Sequence, residues 1–193
     1  MEEAKSMGIR VLPPDVSLCF ADFTVIYDDH PDNSKQVKFI PGATAKYYDT
    51  KGESIRFGLS AVKGVGERAV LEIIRAREEK GKFENIYDLC SSIDTRLVNK
   101  GALEALIKAG AMDSLGGHRA QTIAALEDAI KNANMLQKDR DAGQMSFFDS
   151  FDENHPEETI VTLPDVPPWP KRDMLMEEKK VLGMYVTDHP LAD

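Results

Sequence analysis

From Gly58 onward the apolar residues recur at helical spacing. Leu59, Val62, Val65, Ala69, Val70, Ile73 and Ile74 fall three or four apart, the period of one helix face. Gly64 and Gly66 bracket Val65 within that stripe. The pattern predicts a short helix, a tight glycine turn and a second helix over 67–80 stopped by Gly81. Asn85 is placed to cap a short helix over 86–91, with Ile86, Leu89 and Cys90 facing inward. Asn99 is placed to cap another, which Gly110 ends, and after a turn over 111–117 a long helix runs over 118–138. This second helix pair echoes the first with a looser turn. A last helix is expected over 171–182, with Met174, Leu175 and Leu182 sharing a face.

Before Gly58 the period changes to two. Alternating, β-rich pieces at 22–27, 36–40, 45–48 and 54–57 are separated by turn-forming runs such as Pro41-Gly42. They follow the end of a helix at 2–7 and a short extended run at 9–12. A small antiparallel sheet is expected. After residue 140 the periodicity stops. Pro164, Pro167, Pro168 and Pro170 surround Trp169 and impose extended chain. A short strand is expected at 183–186 and a turn at 188–191. The fold class read from this is mostly α with a small antiparallel β part: a tandem helix-hairpin-helix bundle, then an acidic, proline-rich segment and a short helix. The divisions are 1–57, 58–140, 141–170 and 171–193.

Composition narrows the class. No apolar run in the 193 residues approaches the roughly 18 of a membrane span, and the charged opening is no signal peptide. Cys19 and Cys90 lie far apart, with no CxxC and no Cys/His cluster, which fits a reducing cytoplasm and no zinc site. The four histidines are scattered beside turn formers and share no metal-ligand spacing. The net charge of −9 argues against a polyanion partner until its distribution is read. Residues 60–82 hold six Lys/Arg against four Asp/Glu, residues 96–140 seven against five, and residues 141–178 two against ten. The acidity is concentrated late, and the helical centre is mildly basic, as a phosphate-binding face requires.

The glycine turn is the chief candidate for chemistry. Amides at Gly64, Val65 and Gly66, at the start of a helix, make an anion site of phosphate size. Lys63 and Arg68 flank it with positive charge. The alternative is a plain packing corner with no ligand. Arg119, near the start of the long helix, is either a further phosphate contact or a solvated charge. Phe147, Phe148 and Phe151 stand among acids, a poor composition for an unfolded linker. They either pack back on the long helix or enter a partner.

The stretches IRFGLSAVKGVGERAV (55–70), LVNKGALEALIKAGAMDSLGGHRA (97–120), GQMSFF (143–148) and EEKKVLGMYVTDHPL (177–191), with the opening EEAKSMGIRVLPPDVS (2–17), resemble the alpha subunits of bacterial DNA polymerase III. The likeness spans nearly the whole chain and matches the end of the fingers and the helix-hairpin-helix region. It implies a cytoplasmic bacterial segment that grips duplex DNA backbone without sequence preference through Lys63, Gly64, Val65, Gly66, Arg68 and Arg119. It also implies a peptide, Gln144 with Ser146, Phe147 and Phe148, that hooks the sliding clamp (the beta subunit). The partners implied are double-stranded DNA, the clamp and other polymerase III holoenzyme subunits, with no membrane. The family's catalytic palm lies upstream by this resemblance, so no catalytic and no metal residue is assigned. By the same resemblance Mg²⁺ is expected of the full polymerase, and the family's oligonucleotide-binding barrel is expected downstream of this segment. The stretch 28–53 is longer than usual for the family. Two other readings stay open: a structural connector whose only binding surface is the clamp peptide, and the same segment of an error-prone paralogue.

Overall fold

The computed structural model describes residues 8–26, 37–38, 54–141 and 162–188. Four short strands, β1 (Arg10–Leu12), β2 (Thr24–Ile26), β3 (Val37–Lys38) and β4 (Ser54–Arg56), precede five helices. These are α1 (Glu67–Lys80), α2 (Ile86–Ser92), α3 (Lys100–Lys108), α4 (Arg119–Asp141) and α5 (Lys171–Leu182). A single 3₁₀ turn at Leu59–Ala61 opens the first hairpin, and another at Asp113–Leu115 lies between α3 and α4. The expected helices at 2–7, the strand at 45–48, the stretch 28–53, the clamp-like peptide and the turn at 188–191 lie wholly or largely outside the described residues.

The helix boundaries follow local chemistry. The Asn85 and Asn99 side chains accept from the amides of Asp88 and Ala102, both at 2.9 Å, replacing bonds that a helix start otherwise lacks. α3 ends in a Schellman turn: the amide of Ala111 donates to Leu106 O at 2.9 Å and that of Gly110 to Ile107 O at 3.0 Å.

The sheet is mixed, in the order β1-β4-β2-β3. β4 pairs antiparallel with β2, as expected, and parallel with β1, in the register Val11 to Ile55. The run at 9–12 thus becomes a strand, and the sequence between Leu12 and Ser54 supplies the long connection a parallel pair needs. The strand expected at 183–186 does not form. The amides of Val186 and Thr187 donate to the Glu178 carboxylate instead, at 2.7 and 2.9 Å, so they are not available to a sheet edge.

One buried apolar cluster runs from Val11 and Phe57 through the helices to Leu182 and Val186. Six of the seven residues of the predicted stripe are buried in it, and Ile74 packs at its margin. Polar clasps tie the layers together. The Arg77 guanidinium donates to Val16 O and Cys19 O at 3.0 and 2.7 Å and lies 5.5 Å from the Phe20 ring centroid. Glu72, buried on α1, accepts from Arg75 at 2.6 and 2.8 Å and from the Asp94 amide at 2.8 Å.

Candidate nucleic-acid interface

The first hairpin turns on Gly64, whose φ of +88° is left-handed, a region costly for residues with a Cβ. Lys63, Gly64, Gly66, Glu67 and Arg68 are exposed, and Val65 is buried beneath them. The loop's amides divide into two sets. Those of Lys63 and Val65 turn inward, to Val181 O at 2.9 Å and to Val62 O at 3.2 Å. Those of Gly64, Gly66, Glu67 and Arg68 have no acceptor among the described residues. Gly66, the residue at the helix cap, offers no side chain to satisfy them. The start of α1 thus presents open N–H groups and the positive end of the helix dipole to solvent, flanked by two exposed cations. Glu67 in the first turn offsets part of that potential. Of the three amides expected, that of Val65 is bonded within the turn, and the amides of Glu67 and Arg68, which the glycine spacing alone did not mark, are open beside those of Gly64 and Gly66.

The second hairpin is built for another purpose. At its helix start the His118 amide donates to Gln121 Oε1 at 3.2 Å, and the Gln121 amide donates to His118 Nδ1 at 3.3 Å. This reciprocal cap satisfies the amides of the cap residue and of the third helical residue, while those of Arg119 and Ala120, like those of Glu67 and Arg68, have no acceptor among the described residues. Arg119 is neither solvated nor facing solvent with free donors. It is 5% exposed. Its Nε and Nη2 donate to Asp113 at 3.0 and 2.8 Å, and Nη1 donates to Lys108 O and to Glu178 Oε2, both at 3.2 Å. Burial works against this charge, but Asp113 and then Glu178 outweigh it, so its pKa is raised. Gly110 makes the room: a Cβ there would overlap the guanidinium.

Glu178, fully buried, also accepts from Thr187 Oγ1 at 2.5 Å. Through it α5 and residues 183–188 are locked onto the second hairpin, while Val181 O holds the loop of the first. Sequence reasoning missed this residue. Its signal was a carboxylate between Leu175 and Leu182 on the buried face of α5, a position that demands a partner. Among the described residues no group of three His, Cys, Asp or Glu is placed to hold a metal ion, and no helix is long and apolar enough to cross a membrane. Gln144, Ser146, Phe147 and Phe148 lie outside the described residues.

Comparison with known proteins agrees with this architecture. The helix-hairpin-helix motif family matches residues 8–122. The chain is 36% identical over 193 residues to the DNA polymerase III subunit alpha of Vibrio cholerae, covering 100% of this chain and 14% of that protein. It is 33% identical over 191 residues to the subunit of the same name from Escherichia coli, covering 99% and 14%. It is 34% identical over 193 residues to that of Deinococcus radiodurans, covering 99% and 12%. The chain therefore spans about one-seventh of the length of these relatives.

Proposed function

The chain belongs to the helix-hairpin-helix motif family, and from that premise we propose that it is a segment of a bacterial replicative polymerase alpha subunit that grips duplex DNA by its backbone. The observation that carries the reading is the uncapped, solvent-facing start of α1, with four amides lacking acceptors between Lys63 and Arg68. Each phosphate would be met by amides that carry no base information, so the grip is indifferent to sequence. The likeness to polymerase alpha subunits supports the polymerase context. In this reading Gln144 to Phe148 tethers the segment to the sliding clamp, adding effective concentration to a weak grip, in the bacterial cytoplasm among other holoenzyme subunits. No step of nucleotidyl transfer and no Mg²⁺ site is assigned to these residues.

The test is titration of the chain with duplex DNA at low and moderate salt, beside Lys63→Glu/Arg68→Glu. The wild type is expected to bind more weakly as salt rises, and the double variant to lose most of that dependence, about 0.9 in log–log slope per phosphate contact. Equal binding by both proteins would rule out the grip. The second reading, a connector whose only binding surface is the clamp peptide, draws on the second hairpin, whose Arg119 is enclosed and bonded to Asp113 and Glu178 rather than offered to a phosphate.

A further inference from the structure

A second basic feature lies away from the glycine turn. Lys131, Asn134 and Lys138 repeat at three and four residues along α4, and Lys100 reaches the same groove from the first turn of α3. An adjoining groove shares Asn134 and Lys138 and adds Thr95, Arg96 and Gln137. Among the described residues, Glu127 lies 3.3 Å from Lys100 Nζ and Asp94 lies 2.9 Å from Arg96 Nη2. The Lys100–Glu127 pair is exposed on both sides, and such a pair contributes little and exchanges readily. No described carboxylate forms an ion pair with Lys131 or Lys138. Thr95 Oγ1 donates to Asn134 Oδ1 at 2.7 Å, which leaves the amide NH₂ of Asn134 without an acceptor among the described residues.

We propose that these grooves of α3 and α4 form a second phosphodiester contact, taking the backbone of a duplex independently of the hairpin loop. The proposal rests on the DNA-binding reading above. The donor set is the argument. Cations interleaved with neutral amide and hydroxyl donors are the groups that meet phosphate oxygens, and they stand together on a chain of net charge −9. The spacing fits as well. Lys131 and Lys138 are two helical turns apart, roughly 10 Å, far enough to meet separate phosphates of one strand. Met135, exposed in the wall of the groove, offers apolar surface to the sugars between them.

The experiment measures the affinity of the 193-residue chain for a short duplex across a salt series, by anisotropy. It compares wild type, Lys131→Gln/Lys138→Gln, Glu127→Gln and Lys63→Glu/Arg68→Glu, with a thermal melt of each as the folding control. The groove variant is expected to melt as wild type and to lower the salt slope by about 0.9 per lost contact, nearly two in all. Glu127→Gln should raise affinity. If the groove variant keeps the wild-type slope and affinity while the hairpin variant loses them, the second contact is overturned and the hairpin grip stands. If the wild type shows no salt-dependent binding, both fall.

Discussion

Gly66 occupies the position where most helices place a side chain that caps them, and its backbone does not require glycine. Its φ of −76° and ψ of 154° are ordinary for a cap, and a Cβ there would meet nothing within 4 Å. Gly66→Asp should therefore fold, with its carboxylate accepting from the first amides of α1. Stability is expected to rise by a few tenths of a kcal/mol, while duplex affinity falls because the same amides are taken and a negative charge is added. A thermal melt and a titration on one preparation decide it: unchanged affinity with an improved melt would show that the amides are not the grip. Glu178 makes the opposite prediction. Glu178→Ala strips a buried arginine of one partner and frees two amides, a change that costs about 3–5 kcal/mol for a broken buried pair. Denaturant unfolding checks it, and a loss below about 1 kcal/mol would mean that Asp113 alone suffices for Arg119.

At the scale of elements, α1 joins its neighbours through a carboxylate with a pH signature. Arg75, bonded to Glu72, holds that carboxyl below its usual pKa. A depressed carboxylate contributes stability that is fully present above the unfolded value of about 4.3 and is lost as pH falls through the lower folded value. Glu72→Gln should therefore flatten the decline in stability below about pH 4.3, read as the midpoint of urea unfolding against pH. An unchanged acid limb would exclude the linkage. The elements also divide into those legible in the sequence and those not. Asn85, Asn99, Gly81 and Gly110 mark their helix ends because capping acts over three or four residues. β1 against β4 pairs residues more than forty positions apart, and Arg119 meets Glu178 across 59. Neither pairing leaves a local pattern, so the sequence shows the first only as an extended run and does not tell whether Arg119 is a phosphate contact or a solvated charge. The glycine turn was legible as a turn. Which of its amides face outward depends on Val181, contributed by a helix more than a hundred residues later.

For the whole molecule, the two hairpins share a spacing pattern and differ in what they leave exposed. One has no side-chain cap and flanks its helix start with exposed cations; the other is capped by His118 and Gln121 and encloses its arginine. Tandem sequence motifs therefore need not be tandem binding sites. If both contacts proposed here exist, the chain's contribution to holding DNA lies in the first hairpin and along the flank of α4. The docking of α5 has a mechanical consequence. The chain passes from the end of α4 into residues 142–161 and returns to the same apolar cluster, with Leu163 packed against it and α5 anchored through Glu178. A partner pulling on that interval would load two attachments in parallel, one through α4 and one through the Arg119–Glu178 pair. Tension applied there would be divided between them before it could reach the loop at Gly64.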